Sequence, residues 1–364
     1  MAPLVKQLGQ NNRFKLIVAV TGQHREMLDQ VLNLFDIVPD FDLDLMKFNQ
    51  DLFDVTAEIL LGIKNVIEKV RPDLVMVHGD TATTFAAALG AFYQKVPIAH
   101  VEAGLRTNNI VSPWPEEANR QLTSRLADLH FTPTEKNKAA LLREGIASSK
   151  IFVTGNTVID ALNLTIDKLV TSKIVRSKVN SELKNAGVSK GVLNSQFILI
   201  TGHRRENFGQ GFSDICSAIK KLAIEFPKIN FIYPVHLNPK VREPVISNLG
   251  NLANIYLIEP LSYESFVWLM KCCYLVLTDS GGVQEEAPSL GKPVLVMRKT
   301  TERQEAVKAG TVILVGTKIE TIFKSVSNLI LDENIYERMI SAHNPYGDGL
   351  ASGRIEKYLQ DYKF

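Results

Sequence analysis

The run Asp279-Ser280-Gly281-Gly282-Val283-Gln284-Glu285-Glu286-Ala287-Pro288 follows the apolar stretch Tyr274–Thr278. Its order predicts a buried strand, a turn at two glycines, and a helix with carboxylates in its first turn. The leading amides of a helix lack intrahelical partners and lie at the positive end of its dipole, so such a start can seat a phosphate. Glutamates one turn further in stand where they can take the hydroxyls of a ribose. The same joint is common in α/β proteins as plain architecture. It gains weight from a second cluster of ionisable residues in the first half of the chain.

Four polar groupings close predicted strands, at the ends where open α/β sheets bind ligands. In His78-Gly79-Asp80-Thr81, Asp80 is a candidate carboxylate, or part of a cap for the next helix. In His100-Val101-Glu102-Ala103-Gly104-Leu105-Arg106, Glu102 emerges among apolar neighbours, where an unpaired carboxylate is expensive. It needs either a chemical role or a partner such as Arg106. In Pro113-Trp114-Pro115-Glu116-Glu117-Ala118-Asn119-Arg120, Glu116 and Glu117 fall in the first turn of a helix, where acids also answer the dipole. In Thr201-Gly202-His203-Arg204-Arg205-Glu206-Asn207, His203 sits beside a glycine and two arginines, which suits an anionic ligand or forms a salt-bridged turn. His236 is a further candidate, or a hydrogen-bonded core histidine. Phe266 and Trp268 read first as core, with one of them available to stack on a nucleobase.

Other chemistries find no support. There is no metal spacing of His or Cys, no nucleophile elbow, no Walker lysine loop and no Gly-x-Gly-x-x-Gly dinucleotide turn. Cys216, Cys272 and Cys273 read as reduced, buried thiols. A formal net charge of +2 with no basic block argues against nucleic acid, and no apolar run approaches a membrane span. No signal-peptide pattern opens the chain, so the expected location is cytoplasmic. What remains is carboxylates in one half and phosphate-type binders in the other, a combination suited to acid–base chemistry on the sugar of a nucleoside diphosphate.

Such groups need a scaffold that brings strand ends together. Short β-branched runs alternate with amphipathic stretches: Leu16–Thr21, Leu74–His78, Ile98–Val101, Leu129–Thr132 and Ile151–Thr154 in the first half. The second half repeats the scheme with Phe197–Thr201, Asn230–Val235, Ile255–Ile258, Tyr274–Thr278, Val294–Met297 and Val312–Val315. Alternation of this kind predicts an α/β protein with two doubly wound, Rossmann-like domains facing a cleft. The expected domains are 1–165 and 166–350, with a C-terminal helix at about 351–364 packing back on the first. The polar stretch 164–195 is the expected interdomain connection.

The chain strongly resembles the bacterial non-hydrolysing UDP-N-acetylglucosamine 2-epimerases, essentially end to end. The resemblance runs through Gln23-His24-Arg25-Glu26-Met27-Leu28-Asp29, the four groupings above, Gly155-Asn156-Thr157-Val158-Ile159-Asp160, Pro234-Val235-His236-Leu237-Asn238-Pro239, the Ser280–Pro288 run and Asn344-Pro345-Tyr346-Gly347-Asp348-Gly349. It implies a glycosyltransferase-B type fold, a homodimer, no cofactor, and interconversion of UDP-GlcNAc and UDP-ManNAc for envelope polysaccharides. Carried over by motif, Asp80, Glu102, Glu116 and His203 resemble the catalytic set. Ser280, Gly281, Gly282 and Glu286 resemble the phosphate and ribose site, Phe266 the residue flanking uracil, and Arg303 a UDP-contacting arginine. Gln23, Arg205 and His236 resemble part of an activating second UDP-GlcNAc site. A hydrolysing epimerase, a glycosyltransferase of similar architecture, and a nucleotide-sugar-binding protein without turnover are the alternative readings.

The chain departs from the family pattern twice. Before Met1 that pattern has a strand and a Gly-Thr-Arg-Pro-Glu segment, so the expectation is that the chain starts at an internal methionine. Gln304 stands where the family usually has proline, a change expected to be tolerated.

Overall fold

A computed structural model describes residues 1–362 except His24 and Phe48 and, for Arg205, the side chain. The chain divides into one unit of Met1–Ala161 with Tyr346–Phe364 and a second of Leu162–Pro345. These divisions fall four and five residues before the expected boundaries at 165 and 350.

In the first unit, β1 (Ala19–Val20) pairs in parallel with β2 (Phe41–Asp42). A separate parallel sheet runs in the order β3 (Val75–His78), β4 (Ile98–Val101), β5 (Leu129–Thr132) and β6 (Ile151–Val153). The expected strand at Leu16–Thr21 shrinks to β1: the ladder to β2 begins where the Val18 carbonyl accepts from the Phe41 amide, and the Val18 amide is taken by the Asp40 carboxylate rather than by a strand. The helix Leu52–Val70 opens on an Asp51 capping box and buries Val55, Ile59, Ile63 and Ile67, one residue per turn along a single stripe. That stripe meets the alanine-rich helix Ala82–Tyr93, whose Ala86, Ala87 and Ala91 permit close approach. Strand alternation sends Ala99, Val101, Leu129 and Phe131 to another cluster, covered by Leu4 and Leu8 of the helix Ala2–Gly9 and by Ile355 and Leu359 of the helix Ala351–Asp361. Asp160 fastens that last helix by accepting from the amides of Ala351 at 3.2 Å and Ser352 at 2.7 Å.

The second unit holds β7 (Phe197–Thr201), β8 (Asn230–Pro234), β9 (Ile255–Ile258), β10 (Leu275–Thr278), β11 (Val294–Val296) and β12 (Val312–Leu314). They form one parallel sheet in the order β12-β11-β10-β7-β8-β9. Helices cover both faces, so the strands read as continuous apolar runs; Phe197–Ile200 is fully buried. The chain winds outward from β7 through β8 to β9, then returns and winds the other way from β10 to β12. The switch point of this doubly wound sheet therefore lies where β7 and β10 lie side by side, and the crevice at such a point is where these sheets take ligands.

The stretch 164–195 is not a simple connection. It folds into the rest of the helix Thr157–Thr171 and the helices Lys173–Asn185 and Lys190–Asn194, all of it within the second unit. Val179 and Leu183, four apart, bury one face. Glu182 on the same helix accepts from the Ser262 amide, the Ser262 hydroxyl and the Ser265 hydroxyl, which pins the start of the helix Tyr263–Cys272. Arg176 lies 3.1 Å over the Trp268 ring, so Trp268 is taken up by that cation rather than left for a base.

Candidate active site

In the second unit the loops after β7 and β10 carry His203 and the Ser280 turn. Register places Thr201 beside Thr278, so these loops leave the sheet as neighbours. Asp279, fully buried, ties them together: its carboxylate accepts from the amides of His203 (3.0 Å) and Arg204 (2.9 Å) and from Asn207 Nδ2 (3.2 Å). Its other oxygen stands 3.5 Å from His203 Nδ1. Burial pushes the His203 imidazole below its ordinary pKa, and the Asp279 charge works against that shift.

The helix Val283–Ser289 starts at Gly282, and the Gln284 side chain braces its approach by donating to the Ser280 carbonyl at 3.0 Å. Gly281 leaves room for a guanidinium. A Cβ there would lie 2.7 Å from Arg303 Nη1, so a side chain at this position would make that guanidinium shift. Arg303 is oriented in turn by Glu285, which accepts from its Nε at 2.7 Å. Glu286 is buried and accepts from the Tyr263 hydroxyl at 2.6 Å. Burial, with the Glu285 charge beside it, raises the Glu286 carboxyl to about 7, even though the tyrosine bond favours the ionised form. Phe266 lies one turn along the helix from Tyr263 and is half-buried.

In the first unit the ends of β3 and β4 present Asp80 and Glu102. Thr81, not Asp80, caps the helix Ala82–Tyr93, accepting from the Thr84 amide at 3.3 Å. Asp80 instead accepts from Arg120 Nε at 3.2 Å and from Arg120 Nη2. Arg106 is not the partner of Glu102; it donates to Glu144 from Nε at 2.6 Å and from Nη2 at 2.9 Å. Glu102 sits in the left-handed region at φ 65°, with Asn156 Nδ2 donating to its Oε2 at 3.0 Å and His78 Nε2 at 3.8 Å. Its other oxygen faces the Gly79 turn, 3.8 Å from where a Cβ on Gly79 would be.

The two adjacent glutamates have different surroundings. Glu117 is fully buried, accepts from Arg120 Nη1 at 2.8 Å and from the Thr107 amide at 3.0 Å, and so holds the preceding loop in place. Glu116 opens the helix Glu116–Leu126 and is half-buried. Asn119 and Arg120, three and four residues on, share its face and hold Asp80, the former by donating to the Asp80 carbonyl at 3.0 Å. Asp80 and the helix carrying Glu116 are thus braced together, and Glu102, facing the Gly79 turn that precedes Asp80, is held separately by Asn156.

The model of the family described as UDP-N-acetylglucosamine 2-epimerase matches residues 6–360. The chain belongs to the UDP-N-acetylglucosamine 2-epimerase family. It is 56% identical over 359 residues to the UDP-N-acetylglucosamine 2-epimerase of Campylobacter jejuni, covering 99% of this chain and 93% of that one. Identity to the enzyme of that name from Escherichia coli K12 is 55% over 361 residues, covering 99% and 95%. Among solved structures, the Neisseria meningitidis UDP-GlcNAc 2-epimerase bound to UDP-GlcNAc superposes with a TM-score of 0.92 at 51% identity, covering 100% of this chain and 96% of that one. The Methanocaldococcus jannaschii UDP-GlcNAc 2-epimerase in complex with UDP-GlcNAc and UDP gives 0.82 at 33%, covering 99% and 96%.

Within this epimerase chain, the residues expected at a second nucleotide site fall in different settings. Gln23 accepts from the Thr83 hydroxyl at 3.1 Å in the first unit. His236 is exposed in the second, stacked on His203 with ring centroids 5.7 Å apart and planes 20° from parallel, and its Nδ1 accepts from the Asn238 amide. The Arg205 side chain and His24 of the Gln23–Asp29 motif lie outside the described residues. Sequence reasoning did not single out Asp279, Arg120, Asn156 or Tyr263, whose partners are distant in the chain. At Gln304 the usual proline is replaced by a side chain that donates to the Thr301 carbonyl at 2.7 Å, another way to fix the first position of a helix. No helix among the described residues is long and apolar enough to cross a membrane, and no group of three or more potential metal ligands occurs among them.

Proposed function

We propose that the protein is a non-hydrolysing UDP-GlcNAc 2-epimerase that interconverts UDP-GlcNAc and UDP-ManNAc. The observation that carries this reading is that the first unit holds Asp80, Glu102 and Glu116 at strand ends and a helix start, and that the second unit, taken by itself, carries a switch-point loop pair bearing His203 and the Ser280-Gly281-Gly282 turn. A glycosyltransferase needs the nucleotide half of this equipment but has no use for three carboxylates in its other half.

The hydrogen on C2 of the sugar is not acidic, because C1 is an acetal carbon. Breaking the C1–O bond first, with UDP taking the electron pair, builds oxocarbenium character at C1. That charge makes the C2 proton removable, and a carboxylate takes it to leave 2-acetamidoglucal and UDP. Re-addition of UDP to C1 and delivery of a proton to the opposite face of C2 give the epimer. Proton handling on two faces calls for more than one acid–base group, which Asp80, Glu102 and Glu116 supply. Negative charge growing on the diphosphate is met by the amides at Gly281–Gly282, by Arg303 and by His203, an effect that is typically large. Glu286 takes the ribose and Phe266 flanks the uracil. Gln23, Arg205 and His236 belong, in this reading, to an activating second UDP-GlcNAc site, and the working state is a homodimer.

The experiment is epimerisation in heavy water followed by NMR. Deuterium at C2 of UDP-ManNAc, with traces of free UDP, is the expected result. A C2 that stays protiated overturns the elimination route. Accumulation of free ManNAc in place of UDP-ManNAc identifies a hydrolysing enzyme instead.

A further inference from the structure

Arg303 already holds two carboxylates. Its Nε donates to Glu285 at 2.7 Å and its Nη1 donates to Glu302 Oε1. The second oxygen of Glu302 accepts from Arg298 Nη1 at 3.1 Å, and Arg298 Nε donates to Glu206 at 2.6 Å. Glu302 is therefore an anion gripped by two guanidiniums, and Arg204 adds to the positive field around it. Burial alone would raise its carboxyl, but Arg303 and Arg298 outweigh that and hold it at about 2. Its side chain is 17% exposed, and those of Arg303 and Arg298 are 14% and 10%. The carboxylate also lies close over the nucleotide turn: a Cβ on Gly281 would stand 3.2 Å from Glu302 Oε1. An anion held by two guanidiniums above a glycine turn has the surroundings of a bound phosphate.

We infer that Glu302 is a built-in anion that fills part of the diphosphate seat and must turn away from Arg303 before a diphosphate binds. This rests on the reading of Arg303 and the Gly281 turn as the diphosphate site. Two anions cannot share one half-buried guanidinium edge without strong repulsion, so one displaces the other. Arg298 makes the displacement feasible, because it keeps Glu302 paired after Arg303 has changed partner. The competition lowers the net grip on UDP. A weaker grip suits a reaction in which UDP leaves carbon, is added back and finally departs with the product. Arg298 also holds Glu206, three residues beyond His203, so the change of partner acts on the loop that carries the histidine.

Calorimetric titration of UDP and of uridine into the wild type, Glu302→Gln and Glu302→Asp tests this. Glu302→Gln is expected to tighten UDP by about three- to tenfold, the equivalent of a modest ion pair, and to leave uridine unchanged. Glu302→Asp, whose carboxylate is drawn back by one methylene, is expected to tighten UDP less; it carries the test alone if the glutamine variant fails to fold. UDP binding that is unchanged or weaker in the folded variants overturns the inference. So does an equal gain for uridine, which has no phosphate to compete. Failure of the wild type to bind UDP overturns the diphosphate site itself and the inference with it.

Discussion

Arg120 meets a single oxygen of Asp80 with two of its nitrogens, Nε at 3.2 Å and Nη2, while Nη1 donates to Glu117 at 2.8 Å. One buried guanidinium thus orients the carboxylate at the end of β3 and the carboxylate that anchors the loop 107–108. Arg120→Met removes the cation from two acids and is expected to lower stability by about 3–5 kcal/mol and kcat by at least about tenfold. Arg120→Lys keeps the charge but loses the fork, so it should regain much of the stability and little of kcat. Thermal denaturation and steady-state rates on both variants check this; wild-type turnover in the lysine variant would exclude a role for the fork.

Asn156 donates to Glu102 at 3.0 Å from the turn after β6. With that bond gone, Glu102 loses the donor that fixes its Oε2, while the second unit is unchanged. Asn156→Ala is expected to reduce kcat by about tenfold with little change in KM, the scale of one hydrogen bond to a charged group. A rise in KM with kcat intact would place Asn156 in substrate binding instead.

The two glycines of the turn before the helix Val283–Ser289 are not equivalent. Gly281 has Arg303 Nη1 at 2.7 Å from its would-be Cβ, whereas a Cβ at Gly282 meets nothing within 4 Å. Gly281→Ala is expected to lower Tm and weaken UDP binding by about tenfold or more, by pushing the guanidinium aside. Gly282→Ala should leave Tm near the wild-type value. Melting curves and UDP titration of the pair read the contrast directly.

Glu286 links stability to pH. Its carboxyl is raised from 4.5 to about 7, so the folded chain holds a proton there that the unfolded chain releases. The stability this confers is complete below about 4.5 and disappears as pH rises through about 7, a change of up to about 3 kcal/mol. Glu286→Gln cannot titrate and should lack this component. The decline in Tm between pH 5 and pH 8 is therefore expected to be smaller in the variant; parallel curves would show that Glu286 is ionised throughout.

Local patterns made much of the protein legible. Strand–turn–helix runs such as Tyr274–Pro288 state their own structure, because apolar runs, glycines and first-turn acids are neighbours in sequence. Partnerships that form only on folding were not legible. Asp80 and Arg120 are 40 residues apart, and Asp279 lies 76 residues from the His203 amide it holds. Glu102 and Arg106 have the spacing of a helical pair, but residues 102–106 are not helical and Arg106 reaches Glu144, 38 residues on. The segment 164–195 misled because lysines and serines are interspersed among its aliphatic residues and mask their helical spacing, whereas Val179 and Leu183 decide where it packs.

The backbone at Glu102, with φ at 65°, belongs to the conformation glycine prefers, and a side chain there costs about 1–2 kcal/mol. The protein carries that tension in every molecule, whether or not substrate is present. Directed evolution for heat resistance alone should therefore drift to glycine at this position early. With Glu102 as one of the proposed proton-handling carboxylates, the survivors would melt later and lose turnover, so any such campaign has to score epimer formation in every round.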